Sequence, residues 1–212
     1  MSLFLGKIHF WLFNKILWFE GLENEIIYVA KSEGLDISNL QKEIEDKYGG
    51  KLPNKHLDEI IDTSNIHGWL QEKIYSSEGR IVAWTTIIID NRREAKEKLE
   101  EIYTNQGIMA AKEVNEKGFT LDSAEDIFNK VNDYILDGMP CDRVNEIINS
   151  NENCVKWTRR ICVHKEIWDK ESGNVEYFYF LRSLWIKAFV NEINTEFDYL
   201  EDSKGVKSIR RK

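Results

Sequence analysis

The sequence predicts a mainly α protein: a single helical-bundle-like domain with two long duplicated helices and a minor β element near residues 155–163. Three observations carry that prediction. Only Pro53 and Pro140 interrupt a chain rich in Glu, Lys, Leu, Ile and Asn, and proline is the residue that most strongly breaks helices. Apolar residues recur at three- and four-residue spacing through most of the length. Finally, Ile8-His9-Phe10-Trp11-Leu12 returns, slightly changed, as Ile66-His67-Gly68-Trp69-Leu70. At the same offset Lys15, Ile16, Glu20 and Gly21 match Lys73, Ile74, Glu78 and Gly79, so residues 8–21 and 66–79 share eight identities in fourteen aligned pairs. That is the signature of an internal duplication.

The first helix is expected from about Leu3 to Lys31, with Leu5, Ile8, Leu12, Ile16, Phe19, Leu22, Ile26, Ile27 and Val29 at helical spacing and Gly34 placed to end it. A shorter helix follows from about Ser38, with Leu40 and Ile44 inward and Gly49-Gly50 as its stop. After a turn at Pro53 and a short helical piece at Leu57 to Ile61, the run Asp62-Thr63-Ser64-Asn65 offers capping side chains ahead of the second copy. The helix opening there should reach about Ile89. Its end, through Ile81, Val82, Trp84 and Ile87 to Ile89, is β-branched enough to suggest a strand, but the repeat partner favours helix.

Residues Arg92 to Lys117 read as a solvated helix with one thin apolar stripe, closed by Gly118. Asp122 or Ser123 caps the next helix, which buries Ile127, Phe128, Val131, Tyr134 and Ile135 and closes at Gly138 ahead of Pro140. The period then changes: Val155, Trp157, Arg159, Ile161 and Val163 alternate with polar or small residues, the pattern of a half-buried strand. No neighbouring hairpin turn supplies its partner. A last helix from about Val175 to Phe197 carries a wide aromatic stripe. One domain is expected over residues 1–202, and the basic tail 203–212, with Lys204, Lys207, Arg210, Arg211 and Lys212, is expected to be solvated and mobile.

Composition excludes several classes. A hydrophobic fraction of 42% with seven Trp, eight Tyr and ten Phe is too apolar for a disordered chain. A net charge of -8 disfavours a nucleic-acid partner, because phosphate binding needs a positive field. Three cysteines without regular spacing read as reduced thiols, and no apolar run approaches the roughly twenty residues of a membrane span, so a soluble cytoplasmic protein without a membrane partner is expected. Lys7, His9, Asn14 and Lys15 interrupt the apolar N-terminus against a signal-peptide reading. Nucleotide-binding glycine loops, a Gly-x-Ser-x-Gly elbow and Cys-x-x-Cys are all missing from the sequence.

Two constellations could carry chemistry. On an ideal helix, eleven residues make about three turns, so His9 and Glu20 share a face, as do His67 and Glu78, with about 16 Å of rise between them. One helix therefore cannot bring both to one ligand. If the two copies pack antiparallel, each His meets the other copy's Glu; if parallel, His9 meets His67, the arrangement more favourable to a metal or cofactor. Neither copy has the His and Glu at i, i+3 or i, i+4 of helical di-metal proteins, so no metal ligand set is assigned and the cofactor stays open. Gly21 and Gly79, inside helices, suggest a close helix crossing that offsets their low helix propensity.

The leading expectation is a small apolar or aromatic ligand, with a metal or haem ranked below it, in a core pocket. Trp11, Trp69 and the aromatic stripe from Tyr177 to Phe189 would line that pocket, and His9, His67, Glu20 and Glu78 would polarise it. The second constellation is Cys141, Cys162 and His164. On a strand Cys162 and His164 point the same way, and an imidazole can hold a thiol as the nucleophilic thiolate, so a cysteine-dependent hydrolase or transferase with His164 as base is the enzymatic alternative. A third reading is an interaction module that forms a homodimer through the aromatic stripe.

Overall fold

The computed structural model describes residues 5–212, and the expected helix start at Leu3 lies outside them. Among the described residues the chain is mainly α, with eight α-helices and four strands. Its contacts group into two compact units where the sequence suggested one domain: residues up to Lys96 together with His164–Gly173, and Glu97–Val163 together with Asn174–Lys212.

The first unit is built on the two repeat-bearing helices, α1 (Lys7–Ser32) and α4 (Ile66–Asn91). Gly34 follows α1 at φ +77°, the left-handed position that glycine tolerates best, and Asn65 caps α4 by accepting the Gly68 N–H at 3.2 Å. The β-branched run Ile81 to Ile89 is helical, as the repeat suggested, because it is buried almost all round. The two helices run parallel. His9 lies 5.7 Å from His67, Phe13 lies 6.4 Å from Trp69, Glu23 binds Arg80 and the Glu33 carbonyl accepts from Arg92, so contacts advance in the same direction along both. Between them come α2 (Ile37–Tyr48), capped by Asp36, and α3 (Leu57–Ile60). The later α7 (Lys165–Lys170) packs on α4.

Gly79 does mark a close approach, but the neighbour is α2. A Cβ there would stand 2.2 Å from the Tyr48 ring. Its counterpart Gly21 is solvent-exposed.

In the second unit α5 (Lys96–Glu116) packs against α8 (Val175–Ile193) closely enough that a Cβ on Gly107 would lie 2.3 Å from the Trp185 carbonyl oxygen. Ser123 caps α6 (Ala124–Asn132), which ends six residues before Gly138, since residues 133–138 leave the helix toward the turn at Pro140–Asp142. The chain then forms β1 (Asn145–Asn151), and β2 is Cys154–Arg159.

The expected strand at 155–163 is thus corrected to a shorter one with partners on both sides. Strand order is β1-β2-β4-β3, all antiparallel, with β3 at Phe197–Glu201 and β4 at Lys207–Arg211. The hairpin turn is an Asx turn, in which Asn151 Oδ1 accepts from the N–H groups of Asn153 and Cys154 at 3.0 Å. The basic tail is corrected as well: its Lys207–Arg211 is an inner strand. Lys207 and Ile209 are buried there while Ser208 is half-buried and Arg210 exposed, the alternation that a packed sheet face requires. Val155, Trp157, Phe197 and Tyr199 join Ile209 on that face, against Phe128 of α6 and the buried side of α8.

Candidate functional site

In the first unit the parallel packing brings His9 and His67 together and separates the two Glu residues of the repeat. His9 is buried, His67 exposed. His9 Nδ1 accepts the Gly6 N–H at 2.9 Å as part of the α1 cap. A neutral imidazole that accepts at Nδ1 carries its proton on Nε2, so neither nitrogen can ligate a metal without giving up the cap. Trp11 and Trp69 are half-buried and sit under lysines of their own helices, Lys15 at 3.6 Å and Lys73 at 5.5 Å. Among the described residues no group of three or more His, Cys, Asp or Glu side chains could hold a metal ion.

Glu20 and Glu78 have different partners. Glu20 accepts from Arg80 Nη2 and from the Leu52 N–H. Arg80, fully buried, also donates through Nε to both oxygens of Glu23 at 3.1 and 3.0 Å, and through Nη1 to the carbonyls of Gly49 and Gly50 and to Ser76 Oγ. Burial holds the Glu23 carboxyl above the ordinary carboxylate value, against the attraction of Arg80 and Lys51. Glu78 meets His164, also buried, with Nδ1 to Oε1 at 2.6 Å. Every polar atom of the Arg80 guanidinium thus has a protein partner, which is the pattern of a structural network.

Neither cysteine named from the sequence meets an imidazole. Cys141 is exposed in the Pro140–Asp142 turn. Cys162 lies beyond the end of β2, exposed, with its Sγ 3.1 Å from the Tyr179 hydroxyl. A sequence alternation that runs to Val163 places Cys162 on a strand, whereas the strand stops at Arg159.

A different constellation emerges in the second unit. Between the sheet and helices α6 and α8 lies a small open cleft, with about 30 Å³ of space accessible to water, walled by Phe128, Val131, Ile135, Trp157 and Ile186 and edged by Arg159, Arg182 and Lys207. Asp137 is the one carboxylate on its lining. It is fully engaged, accepting from Arg182 Nη1 at 2.5 Å and from Asn145 Nδ2 at 2.8 Å. Arg182 also donates to the Leu136 carbonyl, and Lys207 pairs with Glu201 at 3.2 Å.

Arg159 is placed otherwise. Its guanidinium carbon stands 3.5 Å from the centroid of the Tyr179 ring, and its nearest carboxylate, on the exposed Glu176, is 3.9 Å away, beyond hydrogen-bond reach. Burial, together with the hydrogen bond to Cys162, raises the Tyr179 phenol further above the neutral range, so the arginine stacks on an uncharged ring.

The sequence held signals for these residues. Arg159 falls on the inward period of β2 with Val155 and Trp157, and Arg182 interrupts the aromatic stripe of α8; a cation on an apolar face is the informative departure. With the geometry in hand, comparison with known proteins adds no relative: no family model matches the chain, and neither a curated protein nor a solved structure shows significant similarity to it.

Proposed function

We propose that the protein binds a small molecule in the cleft of its second unit, between the sheet and helices α6 and α8. The observation that carries this reading is the pairing of an apolar wall at Trp157 with Arg159, a cation that stands over the Tyr179 ring and, among the described residues, comes no nearer than 3.9 Å to a carboxylate. Pockets of this kind combine mostly apolar lining with a few placed polar groups. The ligand-binding class expected from the sequence is kept, and its location moves from the repeat helices to the α8 stripe. Parallel contacts between α1 and α4 support reading the repeat as a duplication that serves architecture, since its His and Glu residues cap and brace helices. No helix among the described residues is long and apolar enough to cross a membrane.

The test is titration of the labelled protein with small aromatic fragments while following the Trp157 indole N–H resonance. Saturable shifts at Trp157 and Tyr179, with the α1 and α4 resonances unmoved, are expected. Shifts confined to the repeat helices would place binding elsewhere and overturn the assignment.

A further inference from the structure

We infer that two copies of this chain associate through the outward face of α1, packed antiparallel about a two-fold axis level with Phe19. The inference rests on the first unit alone and is independent of the cleft. That face is a stripe of exposed residues at helical spacing: Phe10, Asn14, Leu17, Gly21, Asn24 and Tyr28. From either end the stripe reads alike, an aromatic ring and then an amide before the centre. A two-fold contact requires that where residue i meets j, j also meets i. With the axis at Phe19, Phe10 meets Tyr28 of the second copy, Asn14 meets Asn24, and Leu17 meets Gly21.

The centre of the stripe accounts for a costly residue. Glycine inside a helix is destabilising. Gly79, the repeat counterpart, leaves room for the Tyr48 ring, whereas Gly21 lies on an exposed face. Antiparallel pairing sets Leu17 of the second copy on Gly21, the close approach that a missing side chain permits. Asn24 accepts from Lys51 Nζ through Oδ1 at 2.5 Å, which leaves its Nδ2 donor for the Asn14 carbonyl oxygen across the axis. The ends fit in the same way. Beside Phe10 an open groove, with about 640 Å³ of space accessible to water, runs between α1 and residues 54–59, lined by Phe13, Leu17, Asn54, His56 and Leu57. Tyr28 is the projecting ring that the pairing carries into it.

Charge and area both fit a second copy as the occupant. In a sequence that is 31% charged, this exposed stripe carries no charge over about 27 Å of helix, the depletion that marks an interface core. Lys7 and Glu25 are exposed on one rim of it. Antiparallel pairing sets Lys7 of one copy about 9 Å along the axis from Glu25 of the other, within reach of the two side chains, and does so twice. Phe10, Leu17 and Tyr28 are 45%, 41% and 70% exposed; at about 150–250 Å² for a large apolar side chain they present roughly 300 Å² per copy. With the amides and the backbone between them the pair buries about 1,000 Å², the floor for a specific interface, so association is expected in the micromolar range.

The test is sedimentation equilibrium of the intact protein from about 1 to about 200 µM, with isotope-filtered NOEs on an equal mixture of labelled and unlabelled chains. The apparent mass should climb from 25.0 kDa toward twice that value, with cross-peaks between Phe10 of one copy and Tyr28 of the other. Gly21→Glu puts a charge at the centre, at an exposed position where glutamate favours helix more than glycine does. It should weaken association about tenfold or more while helical circular dichroism and melting stay unchanged or improve. Tyr28→Ala should weaken association as well, and its exposed site makes it the informative variant if the first does not fold. A strict monomer at the highest concentration would overturn the inference and give the face to a different partner. A dimer indifferent to both substitutions, or one with cross-peaks from Phe10 to Phe10, would overturn this pairing.

Discussion

Arg80 is the residue on which the polar interior of the first unit turns. A guanidinium with no solvent exposure is tolerable only if its charge and donors are all answered, and Glu20, Glu23, Ser76 and two backbone carbonyls answer them. Two carboxylates share one arginine, with Lys51 3.8 Å from Glu23, and burial dominates the Glu23 proton balance. The sign is definite. Below the ordinary carboxyl value of 4.5 Glu23 is protonated in folded and unfolded chains alike; above it the unfolded chain ionises first, and the stability from a raised folded pKa is lost as pH climbs. Replacing Glu23 with Gln should therefore flatten the pH dependence. Urea midpoints from about pH 4 to about pH 7 should show wild type losing ground to the variant as pH rises. A wild-type advantage that grows with pH would contradict the assignment. None of this network was legible beforehand: Glu20 was singled out as half of a His–Glu pair, whereas its partner comes from a position that the repeat does not duplicate.

At the scale of elements, helices declared themselves, whereas of the four strands only β2 did. Caps at Asp36, Asn65, Ser123 and Asn174 and left-handed glycines at 34, 49 and 118 mark ends that a reader of the sequence can place within a few residues. By contrast β1 is an edge strand exposed along most of its length, including Ile147 and Ile148, with a register shift between Ile147 and Asn149. Without a buried face it has no period to detect, and the Asn-rich turn that pairs it with β2 resembles a loop. The crossing of α5 and α8 also depends on one small residue. Gly107→Ala should gain about 1 kcal/mol of helix propensity, yet the methyl would press on the Trp185 carbonyl, a backbone atom that cannot rotate aside. Net destabilisation of about 1–3 kcal/mol is expected from chemical denaturation; a stabilised variant would show that the crossing is loose.

Across the whole molecule, neither compact unit is a continuous stretch of chain. The first needs His164–Gly173, which brings His164 to Glu78, Trp168 into its interior and Glu171 to Lys47 and Tyr48. A fragment ending at Lys96 would leave Glu78 buried without its imidazole, an arrangement that disfavours folding by several kcal/mol. Such a fragment should retain helical circular dichroism but melt without cooperativity and bind a hydrophobic dye. A sharp, two-state transition in the fragment would refute this. The aromatic stripe of α8 meets a similar constraint: Phe178, Tyr179, Trp185 and Phe189 are buried, and Phe180 is the large aromatic of that helix left exposed. Composition alone indicated abundant aromatic surface to bury, but only the fold decides whether a chain buries it against itself.

The inner position of Lys207–Arg211 has a consequence for the order of assembly. Trp157 of β2 pairs with Lys207, fifty residues further along the chain, and β3 reaches β2 only through that same strand. During synthesis β1 and β2 can close as a hairpin at once, but Val155 and Trp157 stay wet on one flank until the last strand arrives. Completing this unit therefore requires a loop closure across the fifty residues from Trp157 to Lys207. The ligand cleft, which needs Trp157, Arg159 and Lys207 together, comes into being in that final step.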